Sequence, residues 1–113
     1  MSAFVYKNNE LYTSEVSISS IATKIGTPFY CYNANYIIQQ FNFYKEAFAN
    51  VPNYLIAYAL KANSNQAIIK LLSKQGSGAD IVSLGELHRA CKAGIAPSKI
   101  IFSGVELILM LPF

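Results

Sequence analysis

Apolar and polar positions along this chain change rhythm near residue 54. Before that point, residues 4–16 alternate weakly around Lys7-Asn8-Asn9, the pattern of a short β-hairpin. A short helix is predicted next. Ser17 or Ser19 can cap it, Ile18, Ile21, Ala22 and Ile25 recur at helical spacing, and Gly26 suits its end. Thr27-Pro28 then leads into a predicted strand over 28–32, with the proline at the first strand position. Asn33 or Asn35 opens a longer helix to residue 49, whose apolar stripe is Tyr36, Ile37, Phe41, Tyr44 and Phe48. Residues 50–53, with Pro52, break it.

From residue 54 the chain reads strand, helix, strand, helix, strand. Residues 54–60 are nearly all apolar, as expected of a parallel strand covered on both faces. The helix over 64–74 turns Ile68, Leu71 and Leu72 inward and stops at Gly76. A short strand covers 79–82, and a helix over 83–93 carries Leu84, Leu87 and Cys91 at i, i+3, i+7 before Gly94. A third strand covers 99–102. Strands alternating with helices of this length imply βαβ units and a parallel sheet, the α/β class.

Composition narrows the picture. In 113 residues, 53% are hydrophobic and 13% charged, enough to bury a core and too little charge for a disordered segment. The net charge is +3 and the lysines are scattered, so no basic stripe points to nucleic acid. Cys31 and Cys91 lie far apart in apolar surroundings; buried free thiols are the better reading, with a disulfide between them the alternative, and no spacing suggests a metal site. No secretory leader is expected at the N-terminus and no membrane span anywhere, which makes the expected location cytoplasmic.

The segment Tyr58-Ala59-Leu60-Lys61-Ala62-Asn63-Ser64-Asn65 carries the chemistry. Lys61 stands at the C-terminal end of an apolar strand, where α/β sheets and barrels place their active sites. By strand alternation Leu55, Ala57, Ala59 and Lys61 share one face, so two alanines precede the lysine and leave room for a flat ring. A lysine partly withdrawn from water is a plausible amine nucleophile for an aldehyde. From composition alone, a strand-end lysine that simply reaches solvent is the stronger reading.

Tyr58-Ala59-Leu60-Lys61-Ala62-Asn63 resembles the cofactor-lysine motif of the alanine-racemase-like (fold type III) pyridoxal-phosphate-dependent decarboxylases. The stretch Gly76-Ser77-Gly78-Ala79-Asp80-Ile81-Val82-Ser83-Leu84-Gly85-Glu86-Leu87 is similar to the next block of that family. Ile100-Ile101-Phe102-Ser103-Gly104-Val105 resembles the third, and Gly26-Thr27-Pro28-Phe29-Tyr30 adds an upstream match. Within the class, the blocks look most like the diaminopimelate decarboxylase branch. The resemblance implies the first three βα units of a (β/α)8 TIM barrel over 33–105. It also implies an N-terminal hairpin and strand segment, 1–32, belonging to a separate β-domain. It implies pyridoxal 5'-phosphate as cofactor, bound covalently by Lys61 and lined by Ala59 and Asp80, with no metal. The implied reaction is decarboxylation of meso-diaminopimelate to L-lysine and carbon dioxide, by a homodimer with a small amino-acid substrate. Ornithine, arginine or a carboxylated polyamine such as carboxynorspermidine are alternative substrates, and a non-catalytic, decayed gene fragment is the rival of a different class.

Two further residues have structural explanations. Ser83-Leu84-Gly85-Glu86 fits a capping box in which the serine caps the helix and the glutamate reaches back to the backbone. His88, the only histidine, is expected at the edge of the packed face of its helix and not in catalysis. Asp80 reads either as a positioning group near Lys61 or as a turn aspartate after Gly78. After Val105 the resemblance ends, and the apolar run 106–113 reads as a foreign tail. With most of the barrel lacking, the 113-residue polypeptide by itself is expected not to decarboxylate diaminopimelate.

Overall fold

A computed structural model describes residues 2–105, and the expected tail over 106–113 lies outside the described residues. The chain forms two compact units, Met1–Gln39 and Gln40–Phe113.

The first unit holds an antiparallel meander of β1 (Val5–Lys7), β2 (Glu10–Thr13) and β3 (Val16–Ser17), followed by α1 (Ile18–Ile25). The hairpin expected over 4–16 is present, with a third short strand added. Asn8 and Asn9 take φ of 51° and 62°, both in the left-handed region that a two-residue hairpin turn requires and that asparagine tolerates. Ser17 caps α1, its hydroxyl accepting from Ser20 N–H at 3.0 Å, and Gly26 at φ 82° ends it. The strand expected over 28–32 is not formed. No strand among the described residues pairs with the segment, and the Thr27-Pro28 bond is cis. An extended chain becomes a strand only when a neighbour takes up its backbone groups.

Asn33 starts α2 (Ala34–Ala47), its Oδ1 accepting from Tyr36 N–H at 2.9 Å. Its Nδ2 donates to Thr13 Oγ1 at 2.8 Å and lies 3.2 Å from both Ala3 O and Ser14 Oγ. One asparagine thus joins the meander to the helix start. Of the apolar stripe expected on α2 only Phe41 is buried, whereas Tyr44 and Phe48 are exposed.

The second unit carries the βαβαβ pattern. Strands β4 (Ala57–Ala59), β5 (Gly78–Ile81) and β6 (Ile100–Phe102) form a parallel sheet in that order. Helices α3 (Gln66–Lys74) and α4 (Leu84–Lys92) are the crossovers. The strand expected over 54–60 is thus shorter, because Leu60–Ala62 turns into one 3-10 turn and Tyr54 and Leu55 precede the ladder. Both helices end alike. Ser77 N–H bonds Leu72 O and Gly76 N–H bonds Ser73 O, while Ile95 bonds Ala90 and Gly94 bonds Cys91. This is a Schellman closure with glycine at φ 93° and 83°, which reverses the chain toward the next strand without a Cβ clash.

The core lies on one sheet face. Leu60, Ile69, Ala79, Ile81, Ala90, Ala93 and Ile95 form a buried cluster, with Tyr58, Leu87, Ile100 and Phe102 packed against it. Register explains the choice: Tyr58 pairs with Ala79 and Ala79 with Ile100, so these three share a face. On α3 the buried residues are Ile68, Ile69 and Leu72; Ile69 joins the expected set and Leu71 is only half-buried. On α4 the inward positions are Leu87 and Ala90, not Leu84 or Cys91, because the small Ala90 lets the helix approach the sheet closely. The cysteines, expected to be buried, are free but half-buried at Cys31 and exposed at Cys91.

Candidate functional site at the strand ends

The second sheet face presents small side chains. Ala57 pairs with Gly78, and Ala59 pairs with Asp80, which in turn pairs with Ile101. Methyl groups, a hydrogen and one carboxylate therefore occupy the middle of this face. Gly78 cannot carry more: a Cβ there would strike the Lys99 carbonyl oxygen and meet the Leu55 methyls at 3.2 Å.

Lys61 follows β4 directly, in the 3-10 turn Leu60–Ala62, so strand alternation does not run on to it. Leu60 is fully buried and fixes this turn to the core, while Lys61 and Ala62 are exposed. The withdrawal from water expected for Lys61 is therefore not a feature of this structure. Among the described residues the Lys61 amine has no hydrogen-bond or ion-pair partner.

The turn is followed by a tethered loop. Tyr58 Oη donates to Asn63 O at 2.9 Å, and Asn63 Oδ1 accepts from Asn65 N–H at 3.0 Å. Asn65 then caps α3, its Oδ1 accepting from Ala67 N–H at 2.9 Å. From α4, Arg89 Nη1 donates to Ser64 O at 3.0 Å, and Gln66 Nε2 donates back to Arg89 O at 3.0 Å.

Asp80, half-buried in β5, sits beside Ala59, two residues before Lys61. Its Oδ1 accepts a hydrogen bond from Ser103 Oγ, and Ser103 N–H bonds Ile81 O at 3.0 Å. In the sequence Ser103 stands only as part of a motif block; its role as the partner of Asp80 depends on β5 and β6 being neighbours. Glu86 is occupied in the helix start, as expected of a capping box, with one shift. Ser83 Oγ accepts from Glu86 N–H at 3.2 Å, while Glu86 Oε2 accepts from Val82 N–H at 2.7 Å, one residue before the cap. His88 is exposed on α4. No group of three or more His, Cys, Asp or Glu among the described residues is placed to hold a metal ion. No helix among the described residues is long and apolar enough to cross a membrane.

A parallel α/β sheet ending in a lysine that is unpaired among the described residues, beside a face of small side chains and one anchored carboxylate, is a setting suited to an aldehyde cofactor. The chain belongs to the pyridoxal-dependent decarboxylases, whose pyridoxal binding domain matches residues 34–106. Several of its relatives carry a narrower name, diaminopimelate decarboxylase. The one from Aquifex aeolicus is 48% identical over 100 residues, covering 88% of this chain and 23% of that protein. The one from Helicobacter pylori strain J99 is 61% identical over 79 residues, covering 70% and 19%. A solved diaminopimelate decarboxylase from M. jannaschii, in co-complex with L-lysine, superposes with a TM-score of 0.87 at 36% identity. It covers 90% of this chain and 25% of that one. The chain thus spans about a quarter of the length of the curated relatives it matches.

Proposed function

We propose that this chain is the start of a decarboxylase that converts meso-diaminopimelate to L-lysine and carbon dioxide, with Lys61 as the residue that bonds pyridoxal 5'-phosphate. In this reading residues 33–105 begin a (β/α)8 barrel and residues 1–32 contribute to a β-domain, in a protein that works as a homodimer. The observation that carries it is the convergence of three strand ends: Lys61 after β4, Asp80 in β5 beside Ala59, and Ser103 after β6. The names of the similar relatives from Aquifex aeolicus and Helicobacter pylori, diaminopimelate decarboxylases, support this choice of substrate.

When bound, the cofactor supplies an electron sink for the pair released as carbon dioxide leaves. The residues of this chain do the rest at this end of the sheet. Lys61 offers an amine that no carboxylate of the described residues neutralises. Ala59 contributes only a methyl group, so a planar ring meets no bulk there. Asp80, held by Ser103, sets a fixed negative charge next to the lysine's strand. Leu60 keeps the turn that carries Lys61 from shifting.

The test is covalent. The chain is mixed with pyridoxal phosphate, reduced with borohydride and digested, and the pyridoxyl group is mapped. The expected result is one dominant adduct at Lys61, lost in Lys61→Ala. Label spread evenly over all lysines would refute the assignment.

A further inference from the structure

Arg89 stands outside the sheet, on α4, and although it is exposed its side chain is tied to a neighbouring loop. Its guanidinium donates to Ser64 O at 3.0 Å, three residues after Lys61. The bond is reciprocated, because Gln66 Nε2 donates to the carbonyl of the same arginine at 3.0 Å. That carbonyl also accepts the Ala93 N–H that closes α4, so it uses both lone pairs. On the opposite side of the loop, Tyr58 Oη holds Asn63 O at 2.9 Å. The carbonyls of Asn63 and Ser64 are therefore each gripped by a side chain from a different element, β4 and α4.

Such bonding is more than α3 needs. The helix start already has its cap in Asn65. What the additional bonds fix is the stretch between Lys61 and α3, where Asn65 O is taken by the Ile69 N–H of the helix and the carbonyls of Asn63 and Ser64 are held by side chains. A charged donor on a carbonyl is stronger than a neutral one, and the planar guanidinium presents several N–H groups in a fixed fork.

We propose that Arg89 is a positioning residue for Lys61: with Gln66 it clamps the 63–66 loop to α4 and so sets where the lysine amine stands. The proposal rests on the assignment of Lys61 as the cofactor-bonding lysine. It gives α4 a part in the site through a residue whose bonds reach the loop after Lys61.

The test uses the 113-residue chain with Arg89→Ala, Arg89→Lys and Gln66→Ala, and two readouts. The first is the share of borohydride-fixed pyridoxyl group found at Lys61 relative to the other lysines. The second is amide hydrogen exchange over residues 63–66, with the β5 amides as reference. Arg89→Ala should lower the Lys61 share about fivefold, the effect of losing one ordinary hydrogen bond at an exposed position. It should speed exchange in the loop and leave β5 protected. Gln66→Ala should do the same to a smaller extent, and Arg89→Lys, which keeps a donor, should recover part of the loss. An unchanged share and unchanged loop exchange in Arg89→Ala overturn the proposal. Loss of protection throughout β5 also overturns it, since Arg89 would then support folding and not the lysine. If the wild-type chain shows no preference for Lys61, the cofactor assignment fails instead, and loop exchange still decides whether the clamp exists.

Discussion

Leu60 is adjacent to Lys61 and ties its turn to the core, with 0% of its surface exposed. Leu60→Ala deletes about three carbons, which at ~0.8 kcal/mol per buried methylene removes ~2.4 kcal/mol of transfer free energy. The surroundings cannot close fully over the gap. Ile69, Ala79 and Ala90 are themselves at 0% exposure, and their backbones are fixed by the sheet and two helices. A cavity contribution therefore adds to the loss and brings the expected destabilisation to about 3–4 kcal/mol. Leu55 is the control, since it leads into β4 but is 40% exposed. Leu55→Ala should cost about 1 kcal/mol or less. Urea unfolding followed by far-ultraviolet circular dichroism reads both, as shifts of the midpoint at constant slope. A Leu60→Ala midpoint no lower than that of Leu55→Ala would refute the placement of the core on the Tyr58–Leu60 side of the sheet.

Asn33→Ala removes the cap of α2 and three contacts to the meander, and should cost about 2 kcal/mol in the same unfolding assay. Gly78→Ala forces a methyl against the Lys99 carbonyl and should destabilise by about 1–3 kcal/mol, although alanine is ordinarily no worse than glycine in a strand. In the meander, hydrogen bonds from Ser17, and next from Tyr12, hold the Glu10 carboxyl below its usual range. The hydrogen bond to Glu10, and then its charge, push the Tyr12 phenol up. For Glu10 the stabilising effect is present above its unfolded pKa and is lost as pH falls through the folded value. For Tyr12 it is present below the unfolded pKa and is lost as pH rises through the folded value. NMR titration of the two side chains should show these opposite displacements, and Tyr12→Phe should return Glu10 part of the way toward its ordinary value.

Local signals in the sequence located nearly every element of the second unit. Gly76 and Gly94 marked helix ends because only a residue that tolerates positive φ closes them so tightly, and Ser83 with Glu86 marked a helix start because the cap is a contact within one turn. The same locality made the Lys61 block readable. What failed had non-local causes. The 28–32 segment has the residues of a strand but no partner among the described residues, and pairing is not encoded in one segment alone. Cys91 and Leu84 have helical spacing, yet which face of α4 turns inward was decided by Ala90, the residue small enough for close approach.

By itself, then, the sequence determined the βαβαβ order and the position of Lys61 at a strand end. It also determined the family, because these depend on patterns within a few residues of one another. Only the tertiary structure decided that Asp80 lies beside Ala59 and takes a hydrogen bond from Ser103. It alone brought Arg89 to Ser64 and left Lys61 exposed in a 3-10 turn and not on the strand face. Each of these joins residues roughly twenty or more positions apart, or depends on where a strand stops, and the register of a parallel sheet fixes both only once its neighbours are in place.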